Sequence, residues 1–331
     1  MDTQQRALRI GLWVILGSLV FRLVCTHLSD PLVRLLQRDD FCSFLLYLET
    51  GRIVRFSPSL AENEIFAGES PPPSYSVQRS LPVFLPEDAE GIELWNAAGI
   101  HPDTQALLTR PLGWDLTEGD PTVLILHTHT TESYTKNGES YTETSPFRTL
   151  DEHYNMLSVG DRVAELLEEA GIRVIHDRQL HDYPSYNGSY THARGSTSRY
   201  LEENPGILLI LDLHRDASGD LNNQFRPVVR SESGDTARLM LVMGSDAAGQ
   251  NHPNWEENLA LGLKLQVQLE AILPGVTRPL CLRAQRFNQD LSPGALLIEV
   301  GAAGNTHQEA IRAAEVLAKA IITLANGTGK T

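Results

Sequence analysis

Residues Ile207 to Leu213 read ILLILDL and run straight into His214-Arg215-Asp216. A short, unbroken apolar run of this kind is a strand covered on both faces, the kind found inside a parallel sheet. Asn204-Pro205-Gly206 stops a helical stretch from Ser196 to Glu203 just before it. The same alternation recurs on either side. Thr122 to Leu126 (TVLIL), Ile172 to Ile175, Ala237 to Met243 (ARLMLVM) and Ala295 to Val300 (ALLIEV) read as strands. Asn155 to Ala170 places Val159, Val163, Leu166 and Leu167 on one stripe, with Gly171 as a helix cap. Asn254 to Leu273, closed by Pro274-Gly275, reads as a long amphipathic helix, and His307 to Ala325 as a final helix. Strands alternating with helices predict an α/β domain with a mostly parallel twisted sheet flanked by helices.

In such sheets, sites form where the strands end at their carboxyl side. The first strand runs into His127-Thr128-His129-Thr130-Thr131-Glu132, the third into His214-Arg215-Asp216, and the last carries Glu299 just before Gly301. Two imidazoles and a carboxylate delivered to one sheet edge are a normal donor set for catalytic zinc with one position left open. His127 and His129 share a face, so either one serves as the ligand. A third donor comes from Glu132, Asp151 or Glu152, the last two also being placed to cap the helix that begins near Asn155. Glu299 lies in an apolar strand, where it is either a general base of raised pKa or half of a buried ion pair with Arg215 or Arg283. Arg215 either holds a developing oxyanion or pairs with Asp212 or Asp216. His181 to Tyr190 (HDYPSYNGSY) offers tyrosines and small residues suited to lining a substrate, or is a plain turn-rich connection.

The 331 residues are enough for about two domains. A net charge of -15 argues against a nucleic-acid partner, which requires a basic face. Three cysteines, Cys25, Cys42 and Cys281, lack CxxC spacing, which excludes both a disulfide framework and a cysteine-ligated zinc cluster. Ile10 to Phe21 (IGLWVILGSLVF) is an uncharged apolar run, preceded by Arg6 and Arg9 and followed by Arg22. Extended over 1–28, with snorkelling arginines, it reads as an uncleaved signal anchor that leaves the rest of the chain outside the cytoplasm. Residues 29–56 form a juxtamembrane amphipathic segment, and 57–91, rich in Pro, Ser and Glu, a linker. The catalytic domain is expected over 92–331.

The blocks HTHTTESY (His127 to Tyr134), HDYPSYNGSY, LDLHRDA (Leu211 to Ala217) and LIEVG (Leu297 to Gly301), in this order, resemble the stage II sporulation protein P family. The segment FLLYLETGR (Phe44 to Arg52) and the anchor-like start add to the likeness. The resemblance implies a zinc-dependent peptidoglycan hydrolase of the N-acetylmuramoyl-L-alanine amidase type. Such an enzyme removes stem peptides and also cleaves peptide cross-links during engulfment, in the space between forespore and mother cell, working with the sporulation D and M proteins. Matched by motif, His129 and His214 are the zinc histidines and Glu299 is the catalytic glutamate. Asn155 stands where the wider amidase group has an asparagine shortly after a carboxylate ligand. That points to Asp151 as the third ligand, although the wider group usually has glutamate there. Two other readings remain: a zinc peptidase of carboxypeptidase type, and a non-catalytic wall-binding scaffold that has no need of His129, His214 and Glu299 together.

Overall fold

The computed structural model describes residues 84–112, 116, 121–220 and 223–326. The expected anchor, the juxtamembrane segment and most of the expected linker lie outside these residues. Among the described residues, no helix is long and apolar enough to cross a membrane.

Seven strands form the central sheet: β1 (Leu94–Asn96), β2 (Val123–Leu126), β3 (Val174–His176), β4 (Leu209–Asp216), β5 (Leu239–Met243), β6 (Leu280–Leu282) and β7 (Ala295–Ala302). Their order across the sheet is β1-β6-β5-β7-β4-β2-β3. Every neighbouring pair is parallel except β5 with β7. The expected strands are all present, with ends shifted by a few residues. The short β1 and β6 were not anticipated, because three residues are too few to show a period.

Among the described residues there are five helices, α1 (Thr104–Thr109), α2 (Met156–Glu169), α3 (Ser189–Glu203), α4 (Trp255–Ile272) and α5 (His307–Ala325), with α1 packed on α4. Alternation along the strands sorts them onto two faces. Val123, Ile125, Leu209, Leu211, Leu213, Leu239, Leu241, Ile298 and Val300 point into the main core, with α2, α4 and α5 packed over them. Leu124, Leu126, Ile210 and Ala295 point the other way and meet Ala193, Tyr200 and Leu201 of α3. Helix α4 is not the amphipathic helix expected: it is buried continuously from Asn258 to Leu269, covered on all sides by α1, α5 and the sheet.

The helix ends follow their sequence signals. The Asn155 side chain accepts a hydrogen bond from Leu157 N at 2.9 Å and opens α2. Thr306 and Glu309 form a reciprocal capping box at the start of α5. Helix α3 begins at Ser189, a full two turns earlier than the sequence pattern indicates, because its first turns carry Tyr190, His192 and Arg194 on no clear apolar stripe. The last residues of the expected linker are part of the fold. Phe84 is buried in the main core, and Pro86–Gly91 forms a short 3-10 helix with Pro at its start and acids in its first turn.

Candidate active site

Strands β7, β4 and β2 are consecutive neighbours, so the three sequence blocks meet. Glu299 lies in register with His214 across β7 and β4, and Leu126 pairs with Asp212 across β2 and β4. The chain leaving β2 turns at once, with Glu132 N donating to His129 O at 3.2 Å, which sets His129 and Glu132 on one side of a tight loop. The rings of His129 and His214 stand perpendicular, with centroids 5.2 Å apart. His214 Nδ1 faces Glu132 Oε2 at 3.8 Å. His129, Glu132, His214 and Glu299 therefore gather at the carboxyl ends of these three strands.

Both histidines have a holder. His214 Nε2 meets Asp212 Oδ1 at 3.0 Å, an ion-pair contact rather than a well-aligned hydrogen bond. Asp212 is itself fixed, accepting from Thr128 N at 2.8 Å and Thr128 Oγ1 at 2.6 Å. Tyr186 Oη lies 3.1 Å from His129 Nε2, and its ring stacks over the histidine at 4.5 Å. Tyr190, at the start of α3, stands edge-on to His129 and parallel to His214. The loop from His181 to Tyr190 thus closes over the histidines. Its root is pinned by Asp182, which accepts from Thr131 N and Oγ1 and pairs with Arg148.

Arg215 pairs with neither Asp212 nor Asp216. Its Nε donates to Ser133 O at 3.0 Å, its Nη2 donates to Phe147 O at 2.9 Å, and Nη1 lies 3.5 Å from Glu132 Oε1. The guanidinium is buried and committed to the turn that carries Glu132, so it organises that turn rather than facing outward. Asp216 pairs with Arg278 at 2.8 Å instead. His127 turns away from His129: Nδ1 donates to Leu213 O at 2.9 Å, and Nε2 contacts His176 Nε2 at 2.9 Å. Gly160 makes room for this pair, since a Cβ there would sit 2.6 Å from both nitrogens. Of the two candidate histidines, only His129 faces His214.

Asp151 stands apart from the cluster. It is partly exposed, and its Oδ1 accepts from His153 N and contacts His153 Nδ1, both at 3.1 Å. Glu152 is exposed and paired with Arg178. The physical reason is local. The Thr149-to-Asn155 turn serves to launch α2, and Asn155 caps that helix itself, so the acids before it are directed to solvent. Glu132, 4% exposed, occupies the position beside the histidines. Asp212 was the residue missed by sequence reasoning, although a signal existed: a carboxylate inside an apolar strand, two residues before His214, shares its face.

The electrostatics divide the cluster. Burial pushes His129 down to about 4, the nearby Glu132 opposing it only in part. Burial also works against a proton on His214, but Asp212 beside it lifts the group to about 9. Asp212 is held at about 2, burial being outweighed by His214 and the Thr128 hydrogen bonds. Glu132 is likewise below the usual carboxylate range, where burial is outweighed by Arg215 and His214. Glu299 goes the other way. Burial raises it to about 8, His214 only partly offsetting this, and its buried Oε2 has no hydrogen-bond partner among the described residues. His129 Nδ1 is likewise buried without a partner.

Among the described residues, no three His, Cys, Asp or Glu side chains close on a point as a metal requires. Here Glu132 is drawn to Arg215 and to Arg148, which lies 3.3 Å away, and His214 is drawn to Asp212. The donor types nonetheless fit a zinc ion: an unpartnered imidazole nitrogen on His129, the Glu132-facing Nδ1 of His214, and a carboxylate, with both outer ring nitrogens held by Tyr186 and Asp212.

The model for the family "Stage II sporulation protein P (SpoIIP)" matches residues 60–322. The chain belongs to the stage II sporulation protein P family. It is 28% identical over 262 residues to the stage II sporulation protein P of Bacillus subtilis (strain 168), a match covering 76% of this chain and 60% of that relative. It thus spans less than two thirds of the relative's length. Solved structures with some likeness include the N-acetylmuramoyl-L-alanine amidase AmiC2 of Nostoc punctiforme, with TM-score 0.37, 14% identity, and coverage of 61% of this chain and 96% of that one. An amidase of the same name from Clostridium difficile 630 gives TM-score 0.37 and 15% identity, covering 62% of this chain and 95% of that one. An N-acetylmuramyl-L-alanine amidase from Mycobacterium smegmatis gives 0.38 and 14%, covering 64% of this chain and 99% of that one. These scores are low, and the roles of the residues rest on the chain's own geometry.

Proposed function

We propose that this member of the family is a zinc-dependent peptidoglycan hydrolase of the N-acetylmuramoyl-L-alanine amidase type, which releases stem peptides during sporulation. The observation that carries the reading is the pair of buried, unpartnered polar atoms, His129 Nδ1 and Glu299 Oε2, gathered with Glu132 and His214 at adjoining strand ends. Leaving such atoms unpaired costs about 1–3 kcal/mol each, a cost that a bound metal ion and its water would offset at this cluster. His129, Glu132 and His214 would hold the ion. Glu132 replaces Asp151 in this set, because Asp151 is bonded to His153 on the surface.

When bound, zinc supplies a Lewis acid that polarises the scissile carbonyl and acidifies water. Glu299 takes a proton from the attacking water at Oε2 and gives it to the departing amide nitrogen, the role its apolar site favours. Asp212 orients His214 through Nε2, and Tyr186 meets His129 on its outer nitrogen. Arg215 is a positioning residue that holds the Glu132 turn through Ser133 and Phe147. Anchoring by residues 1–28, residence between forespore and mother cell, and cooperation with the sporulation D and M proteins belong to the same reading and are supported by the family and the sequence pattern at the N-terminus.

The test is hydrolysis by the full 331-residue chain. Incubated with purified peptidoglycan and zinc, it is expected to release stem peptides identifiable by mass and to stop when the metal is chelated. Peptidoglycan left intact even with the sporulation D protein present would overturn the reading.

A further inference from the structure

Beside the catalytic cluster lies a cleft of about 320 Å³ that the hydrolytic reading does not use. One wall is the first turns of α3, with Tyr190, Thr191 and Arg194; the other is the loop after β6, with Gln285, Arg286 and Phe287. Tyr190 joins the two regions, since its ring lies 5.7 Å from His129 and also lines the cleft.

The charge arrangement here is unusual for a chain of net charge -15. Arg194 grips Asp290 with both terminal nitrogens, at 2.9 and 2.8 Å, and Arg286 Nη1 reaches the same carboxylate at 3.2 Å. Asp290 is buried, while the two arginines keep about a third of their side chains accessible. Two guanidiniums share one carboxylate, so the cleft carries a net positive charge. Arg194 has both terminal nitrogens committed to Asp290 and Asn288, whereas Arg286 has only Nη1 engaged, on Asp290 and, weakly, on Asn251 O. The loop that presents Arg286 is held in a costly shape. Phe287 and Asn288 are consecutive non-glycine residues with φ of 50 and 59, and Asn288 Nδ2 donates to Tyr190 O at 2.8 Å. Next to Arg286 and Asp290, His252 is buried with neither ring nitrogen bonded.

We propose that this cleft is a carboxylate-binding subsite for the peptide part of the substrate, with the free donors of Arg286 as its ligating group and the Arg194–Asp290 pair as its support. An Arg with spare donors in a fixed plane is the side chain best matched to a carboxylate. The inference builds on the proposed function, because it supplies the recognition that a net negative protein needs to hold an acidic peptide close to Glu299. The site thereby selects stem peptides with free carboxylates over amidated ones.

The test is a binding titration that needs no turnover. The full chain carrying Glu299→Gln is titrated with N-acetylmuramoyl peptide bearing free carboxylates and with the same compound as its carboxamides. The carboxylate form is expected to bind at least about tenfold tighter, the scale of a charge-assisted pair. Adding Arg286→Gln is expected to erase that preference, and Arg286→Lys to restore part of it, with the thermal midpoint of each variant checking the fold. Equal binding of the two forms, binding of neither, or a preference untouched by Arg286→Gln overturns the subsite. So does competition by inorganic phosphate as effective as the peptide, which would make the cleft a general oxyanion site. Peptidoglycan hydrolysis by the unaltered chain, run alongside, separates the two readings. Hydrolysis without a carboxylate preference sinks only the subsite, and a preference without hydrolysis sinks only the enzyme.

Discussion

Glu299 and Glu309 sit ten residues apart, one on β7 and the other in the first turn of α5; Glu309 is buried, and Glu299 is partly buried with its Oε2 shut off from water. Glu309 is surrounded by donors: both its oxygens meet Arg226, and Oε2 also accepts from Asn305 Nδ2 at 2.8 Å and Thr306 N at 3.2 Å. Glu299 has an oxygen with no donor among the described residues, and burial, with the nearby Glu132 and Asp216 adding to it, raises its affinity for a proton. The same side chain thus closes a capping box in one place and is left reactive in the other. The difference lies in the donors that surround one carboxylate and are missing from an oxygen of the other.

Removing each carboxylate is the most direct way to break this contrast. Glu299→Gln keeps the volume and is expected to lower peptidoglycan hydrolysis by about 10²–10⁴-fold with bound zinc and thermal midpoint nearly unchanged, as followed by fragment release and metal analysis. If the variant still turned over normally, Glu299 would be as structural as Glu309. Next in size is the metal set. Glu132→Gln is expected to weaken zinc binding by more than the roughly 10–100-fold that loss of an outer partner such as Asp212 causes, while Asp151→Asn leaves it unchanged. Competition with a zinc chelator measures both, with Asp212→Asn as the outer-partner reference.

Glu309→Ala sharpens the contrast from the other side. It removes the capping box and the Arg226 and Asn305 contacts, so chemical unfolding is expected to show a loss of about 2–3 kcal/mol, with activity per folded molecule retained. A last comparison is Lys264, another buried charge, but one with carbonyl partners. Its Nζ donates to Leu107 O at 2.9 Å and to Leu108 O, at the end of α1, and burial lowers it from 10.5 to about 8. Between those two values the unfolded chain binds the proton that the fold has released, so this group's contribution to stability rises with pH from about 8 to 10.5 and is flat below 8. Thermal midpoints across that range, compared with Lys264→Met, are expected to show the rise only in the unaltered chain.

Much of this was legible beforehand, for reasons tied to particular residues. ILLILDL and ALLIEV announce buried strands because their apolar runs leave no polar face, and His307 to Ala325 is found with its expected ends because Thr306 and Glu309 cap it. His129, His214 and Glu299 stand out because each directly follows or interrupts such a run. The choice of third carboxylate did not come through. Asp151 and Glu132 are equally acidic on paper, and their sequence distances from His129 say nothing about which one a turn directs inward. The early start of α3 was hidden for a related reason: Tyr190 and Arg194 face the His129 cluster and the cleft beside it rather than the sheet's core, so they lie on no apolar stripe.

The chain's own order of residues thus determined the elements, their caps and the three strand ends that carry chemistry, because those depend on local spacing and on apolar runs. Only the tertiary structure decided that β7, β4 and β2 lie side by side and that Arg215 turns inward to hold Glu132. The same is true of Asp290, which gathers two arginines beside Tyr190. Each of these depends on contacts between residues far apart in the chain, whose partners are chosen by the closing of the sheet and not by any signal within a window of sequence.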